Sequence, residues 1–366
     1  MNSYKNLIYD SFDCDVWKTL RSSENPILIY GMGNGADKII SAFEGYGITY
    51  CDVFASDGFV RGHSYRGKRV LSYSEACEKY GSFDIVVSFG SKLPDVISRI
   101  FSLEEKHRVY APDVPVCQGE IFTDEFFTLH EKELFEARLV LSDEKSRLLF
   151  DNIIRFKLTG KLKYLRLTAC EEDECDALLN CKKYGTYVDL GAYNGDTVKK
   201  YTSLCPSLKE IYAFEPDKRN YKKLCAVCEG LEGIQTFPLN IASYSRDTTL
   251  EFSASGNRNS SAASQGSYQH KTIEIEAKAV DSVCSSADFI KYDVEGLEYE
   301  ALLGSEGTIK THSPDLLVSM YHKSEDMYLL PLLVHKLNPS YSLLLRRLPY
   351  IPAWDLNLYA IKKATE

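Results

Sequence analysis

The 366-residue sequence predicts an α/β protein: two parallel-sheet units joined by a helical connector. Two apolar runs each break into a glycine-bearing turn and then into helical periodicity, at Pro26-Ile27-Leu28-Ile29-Tyr30-Gly31 and at Tyr187-Val188-Asp189-Leu190-Gly191. Further apolar runs alternate with helical stretches in both halves, the pattern of parallel strands linked by crossover helices. Between the halves, apolar residues recur at helical spacing with no strand-like run.

Composition bounds the function before any motif is read. An apolar fraction of 44% and a charged fraction of 26% are those of a globular protein with material for two cores. The net charge of -9 argues against a nucleic-acid partner, which would draw on a positive footprint. Met1-Asn2-Ser3-Tyr4-Lys5-Asn6 leads into no uninterrupted apolar segment, so a cytoplasmic protein without stable membrane insertion is expected. Eleven cysteines at irregular spacing do not form a disulfide framework. Cys225-Ala226-Val227-Cys228 is a single pair where a zinc site wants two, and it falls in a helical stretch, so buried thiols are the expectation.

The first region, residues 1–117, opens with a helical preface and the strand that ends at Gly31. A turn, Gly31-Met32-Gly33-Asn34-Gly35-Ala36, then feeds a helix running through Phe43. Strand-like runs follow at residues 49–54, 85–89 and 108–110. The second region, 118–182, reads as a helical connector and lid. The apolar positions of Leu134-Phe135-Glu136-Ala137-Arg138-Leu139-Val140-Leu141 recur at helical spacing, Ser142-Asp143-Glu144-Lys145 reads as a cap and fresh start, and Leu148, Leu149, Ile153 and Ile154 form the next apolar face. The third region, 183–366, carries strand-like runs at 187–190, 210–214, 235–238, 288–292, 316–321, 341–346 and 356–361. The last two are close enough to reverse direction, which places an antiparallel final strand on a parallel sheet. The stretch from Ser253 to about His270 is rich in small polar residues and reads as a surface loop, with a substrate-side loop near the active site as the functional alternative.

The chemistry concentrates in the third region. In Asp189-Leu190-Gly191-Ala192-Tyr193-Asn194-Gly195-Asp196 an acid precedes the first glycine. A pyrophosphate is poorly placed beside Asp189, whereas a ligand with a cationic amine suits it. S-adenosylmethionine (SAM) has that amine, and a ribose whose two hydroxyls Glu215, at the end of the next strand, can accept. Gly191, Ala192, Gly195 and Asp196 form the loop that would approach it, and Asn240 stands where an adenine edge is read, or where a turn needs an asparagine. Further on, a strand ends on Asp293-Val294-Glu295-Gly296 and another on Tyr321-His322. Asp293 and Glu295 either cap the following helix or face an acceptor hydroxyl. His322, with an ordinary pKa near 6.5, suits proton acceptance at the same rim. The three could instead gather a divalent ion; the reading assigns them to catalysis and assigns no metal.

These residues give the third region its resemblance to the FkbM family of SAM-dependent methyltransferases. It rests on Val188-Asp189-Leu190-Gly191-Ala192-Tyr193-Asn194-Gly195-Asp196-Thr197, Phe214-Glu215-Pro216, Phe289-Ile290-Lys291-Tyr292-Asp293-Val294-Glu295-Gly296 and Tyr321-His322-Lys323-Ser324-Glu325-Asp326, with Ala279-Val280-Asp281-Ser282-Val283 and Asn357-Leu358-Tyr359-Ala360-Ile361 in support. The resemblance implies a class I methyltransferase fold, a doubly wound seven-stranded sheet with an antiparallel last strand. It also implies O-methylation of a hydroxyl on a sugar, a glycan precursor of a surface polysaccharide or a related natural product, with SAM contacts from Asp189, Gly191 and Glu215. Tyr292 stands where many relatives carry an aliphatic residue.

The first region is similar to the Rossmann-like modules that precede such methyltransferases. Gly31-x-Gly33-x-x-Ala36 fits the dinucleotide fingerprint, with Asp52 or Asp57 near the ribose position. It reads as a scaffold for substrate docking or for pairing into a homodimer. The alternatives are an NAD-linked sugar oxidoreductase using that loop, and a non-catalytic sugar-binding protein that retains a SAM fold.

Overall fold

A computed structural model describes residues 4–9, 14–60, 62–253, 261–262 and 272–362. The first sheet is built from β1 (Ile27–Tyr30), β2 (Asp52–Ala55), β5 (Leu71–Ser72), β6 (Asp84–Val87) and β7 (Arg108–Tyr110), in the order β5-β2-β1-β6-β7 and parallel throughout. A hairpin of β3 (Ser64–Tyr65) and β4 (Lys68–Arg69) stands beside it. β1, β2 and β6 are buried along their whole length, which is why they read as continuous apolar runs.

The second sheet takes β8 (Thr186–Leu190), β9 (Glu210–Phe214) and β10 (Gln235–Leu239) on one side of its centre. Beyond a four-stranded outlying sheet of β11 (Ala242–Ser243), β12 (Thr248–Ser253), β13 (Ser261–Ala262) and β14 (Thr272–Lys278) come β15 (Phe289–Tyr292), β16 (Asp315–Ser319), β17 (Tyr341–Arg347) and β18 (Leu356–Lys362). The order is β10-β9-β8-β15-β16-β18-β17, and β18 runs antiparallel to both its neighbours. This is the class I methyltransferase sheet, with the reversal of strand order between β8 and β15. Parallel strands all end on one rim, and the crevice at the switch point is where such sheets bind ligands.

The outlying sheet adds strands where the sequence reading named none, between residues 238 and 288. β12 and β14 pair over six residues each, with Leu250 opposite Ile275. The loop expectation itself falls largely on 254–260 and 263–271, outside the described residues.

The connector helices are packed rather than strung between units. One apolar core runs from Leu28, Ile85 and Val87 of the first sheet through Phe150, Ile153 and Ile154 to Val188, Leu190 and Leu343 of the second. The helix Glu144–Thr159 starts where Asp143 accepts from the Ser146 N–H, as its capping pattern predicts. The fully buried Ser146 hydroxyl then accepts from the Leu345 N–H (2.8 Å) and the Arg346 guanidinium (2.9 Å), fastening the helix to β17. Leu148, assigned to the apolar face, is 52% exposed. Among the described residues no helix is long and apolar enough to cross a membrane.

Candidate active site

A cleft of about 260 Å³ opens at the strand ends around the switch point. Gly191, Tyr193, Asp196 and Thr197 line it after β8, and Glu215 and Pro216 after β9. Asp293 and Glu295 line it after β15, Ser319 at the end of β16 and Tyr321 just beyond it. No residue of 118–182 is among those lining it, so the connector wedges the sheets together and does not roof the cleft, contrary to its reading as a lid. The first unit contributes Lys92 instead. Its neighbours hold the units together there: Ser91 exchanges backbone hydrogen bonds with Ile351, and Gly90 lies so close to the Trp354 ring that a Cβ would come within 2.4 Å of it.

The first turn depends on its glycine. Gly191 has φ +82° and its missing Cβ would sit 1.9 Å from the Asp293 carbonyl oxygen, so only glycine brings the two strand ends together. Gly195 opens the helix Asp196–Leu204 in the left-handed conformation and packs against Val227; neither it nor the buried Ala192 lines the cleft.

Glu215 lies in the cleft wall with its residue only 6% exposed. One carboxylate oxygen accepts from the Tyr193 N–H (2.8 Å) and the other from the Asp217 N–H (2.7 Å). Burial pushes its pKa up to about 7, against the pull of those two N–H groups. Each oxygen keeps a lone pair, so the carboxylate is aimed and still able to accept. Asn240 holds the position of a turn asparagine. Its amide donates to the carbonyls of Glu215 (2.8 Å) and Pro216 (2.9 Å), which makes it the brace of that turn, and the cleft lining beyond it falls to Ala242 and Ser243.

Asp189 lies beneath the cleft rather than in it. Its side chain is fully buried; Oδ2 accepts from the Thr197 hydroxyl (2.5 Å) and Oδ1 faces Lys291 Nζ (3.4 Å). The sequence lets Asp189 receive a ligand amine directly or through water; the strand geometry turns the side chain inward, which does not suit direct contact. Lys291, which the sequence reading passed over, lines the cleft and lies 3.6 Å from Asp293 Oδ2 as well. Burial disfavours its charge, but Asp189, Asp293 and Asp196 outweigh that and hold it above the ordinary lysine value. A lysine inside an otherwise apolar strand is the signal that could have found it.

Asp293, Glu295 and His322 do converge. His322 Nε2 is 3.6 Å from Asp293 Oδ1 and 3.6 Å from Glu295 Oε2, while Nδ1 is 2.9 Å from Glu298 Oε1. The helix Glu298–Leu303 is capped by no side chain, so Asp293 and Glu295 are not its caps; Glu298 itself accepts from the Val294 and Gly296 N–H groups. Burial raises the Asp293 pKa, but Lys291, His322 and the Tyr321 hydroxyl (3.1 Å from Oδ1) outweigh it, and the net direction is down. His322 departs from its expected role. It is fully buried and does not line the cleft; burial disfavours its charge, yet Glu298, Glu295 and Asp293 push its pKa up to about 10. The three carboxylates thus favour the protonated ring, which makes it a poor proton acceptor. Glu295 adopts φ +53°, and the segment after β7 clamps its loop: Cys117 donates through Sγ to the Glu295 carbonyl (2.9 Å) and through N–H to that of His322 (3.2 Å).

The glycine turn of the first unit has a packing explanation. A Cβ on Gly35 would fall 2.1 Å from the Ser88 carbonyl, and one on Gly31 would fall 2.5 Å from the Phe89 ring, so both glycines seat their turn against the end of β6. Asp52 sits at the start of β2, not its end, and pairs with Lys79 (2.7 Å) and the Tyr80 hydroxyl (2.5 Å). Asp57 lies past the strand end and accepts from the Ser74 N–H and hydroxyl. Cys228 is buried and Cys225 half-buried on the helix Lys218–Glu229, and all eleven cysteines are unbridged.

Residues 189–338 match the family model of the methyltransferase FkbM domain. The crystal structure of methyltransferase FkbM from Methylobacillus flagellatus is similar over nearly the whole molecule, with 18% identity and a TM-score of 0.65, covering 94% of this chain and 92% of that one. Aeropyrum pernix fibrillarin with natively bound SAM shares 14% identity, with a TM-score of 0.32, over 52% of this chain and 74% of its own. A putative rRNA methylase from Clostridium thermocellum shares 11% identity, with a TM-score of 0.35, over 54% of this chain and 99% of its own. No curated protein matches the chain.

Proposed function

Because residues 189–338 match the family model of the methyltransferase FkbM domain, we propose that the protein is a SAM-dependent O-methyltransferase acting on a hydroxyl of a sugar or glycan precursor. The observation that carries the cofactor assignment is Glu215. Its carboxylate is fixed in the cleft wall by two backbone N–H groups, one of them Tyr193's in the Gly191 turn. The residues fit the cofactor in a second respect: Asn220 Oδ1 and Ser243 Oγ, both buried, have no hydrogen-bond partner within the protein, and both residues line the cleft.

Bound there, SAM supplies a methyl carbon whose bond to sulfur breaks as the acceptor oxygen bonds to it, leaving the thioether. The chain's part is to orient. Glu215 accepts from the ribose hydroxyls, and Gly191 lets the backbone approach. Asp293, held as a carboxylate by Lys291 and Tyr321, accepts the hydrogen bond of the acceptor hydroxyl and draws its proton away as the oxygen is methylated. Lys291 and Thr197 transmit the buried charge of Asp189 to this arrangement. Lys92, from the first unit, supplies a cation at the cleft that favours an acceptor bearing an anionic group.

The test is methyl transfer from isotope-labelled SAM to a panel of sugars, nucleotide-linked sugars and oligosaccharides, read by mass spectrometry. Label appearing on a sugar oxygen supports the reading. SAM binding with no transfer to any acceptor would favour a binding protein instead.

A further inference from the structure

We propose that His322, Asp293 and Glu295 form a binding site for a divalent transition-metal ion at the acceptor end of the cleft, with Glu298 orienting the imidazole. The spacing is the first argument. Nε2 stands 3.6 Å from one oxygen each of Asp293 and Glu295, too far for hydrogen bonds, and has no other hydrogen-bond partner within the protein. Two donors each about 2.1 Å from a shared ion lie roughly 3.0–3.6 Å apart, at angles from octahedral to trigonal. One donor atom each from Asp293, Glu298 and His322 can be enclosed within 4.8 Å of one another.

Burial is the second argument. The His322 side chain is wholly out of solvent, and a buried polar nitrogen without a hydrogen bond calls for a partner. On its far side Nδ1 faces Glu298 Oε1 at 2.9 Å, and the backbone N–H groups of Val294 and Gly296 hold that oxygen in turn. A carboxylate behind an imidazole, fixing the ring so that its other nitrogen points at the ion, is the usual support of a metal-bound histidine. Three carboxylates around one histidine, with Lys291 3.6 Å from Asp293 as a cation beside them, still leave net negative charge that a dication would neutralise.

Access is the third. Asp293 and Glu295 keep 31% and 26% of their side chains exposed and both line the cleft, so the ion would enter from there and face the acceptor. One imidazole nitrogen with carboxylate oxygens suits Mn²⁺ or Zn²⁺ better than Mg²⁺. Holding the acceptor hydroxyl on such an ion would ease loss of its proton. That use rests on the O-methyl reading, whereas the binding does not.

Binding is therefore tested alone. The chelator-treated full-length protein is titrated with Mn²⁺, and the free ion is followed by electron paramagnetic resonance. About one ion per chain is expected to bind, with affinity reduced roughly tenfold or more by His322→Gln, Asp293→Asn and Glu295→Gln. Glu306→Gln, a half-exposed side chain outside the cleft lining, and Glu215→Gln, in the cofactor wall, should bind as the parent does. The second of these separates failure of this site from failure of the SAM assignment. Because His322 is buried, each variant's thermal melt is recorded, and the more exposed Glu295→Gln carries the decision if His322→Gln does not fold. Mn²⁺ that stays free at millimolar concentration would overturn the proposal, leaving a protonated histidine clamped by carboxylates. So would binding that none of the three substitutions weakens.

Discussion

Lys291 and Asp189 are direct cross-strand neighbours on β15 and β8, and their side chains meet beneath the cleft with Nζ 3.4 Å from Oδ1. Both are nearly or wholly out of solvent. The pair links the two strands whose ends form the switch point, and its cation also reaches Asp293. The acid before the glycine turn therefore works through a lysine on the next strand.

Removing that lysine alone should leave Asp189 charged and buried. Lys291→Met is expected to cost about 3–5 kcal/mol of stability. The double variant Asp189→Asn/Lys291→Met should recover part of the loss. Urea unfolding of the three proteins checks this; a single variant within about 0.5 kcal/mol of the parent would contradict the pairing.

The pair also shows how far the sequence could be read. Asp189, Gly191 and Glu215 were legible because strand, turn and strand-end acid are local features, set by a few adjacent residues. That Asp189 faces Lys291 depends on the register of strands about a hundred residues apart, which no local pattern carries. The burial of His322 among Glu298, Glu295 and Asp293 is non-local in the same way. Strands β8 and β15 read clearly as apolar runs, whereas β12 and β14 were missed because charged and polar residues interrupt them. The helix starting after Asp143 was legible from its cap, but its seat against β17 was not.

Glu215 makes ligand binding dependent on pH. Its pKa in the unliganded protein is raised to about 7, so the folded chain holds a proton there that the unfolded chain releases near the ordinary value of 4.5. Its contribution to stability is present below about 4.5 and is lost as pH rises through about 7. Ribose hydroxyls donate to the ionised form, so binding should lower this pKa and release up to one proton near neutrality. Affinity for S-adenosylhomocysteine should then rise with pH up to about 7. Calorimetry at pH 6.5 in buffers of different ionisation enthalpy measures the release; heats that do not vary with buffer would count against it.

Gly191→Ala should be severe, because its Cβ would be driven into the Asp293 carbonyl at a positive φ. A loss of stability on the order of 2–4 kcal/mol is expected, together with loss of cofactor affinity. Gly233→Ala also places a Cβ at positive φ but meets nothing within 4 Å, and should cost only about 1 kcal/mol. Equal melting temperatures for the two variants would refute the close approach.

Ser146→Ala removes one hydroxyl that serves two buried donors, the Leu345 N–H and the Arg346 guanidinium. A cost of about 1–3 kcal/mol is expected from the donors left unsatisfied. Cofactor affinity should stay unchanged, since the connector does not line the cleft. Denaturant unfolding with parallel calorimetry separates the two effects. A large fall in affinity would return the connector to the role of a lid.

The central claim is that the Gly191–Glu215 crevice binds the methyl donor. Titration calorimetry of S-adenosylhomocysteine into the parent protein and Glu215→Ala tests it most directly. The account requires binding by the parent and a loss of at least about 1 kcal/mol, more than fivefold in affinity, in the variant. No binding by the parent, or equal affinity in both proteins, would contradict it.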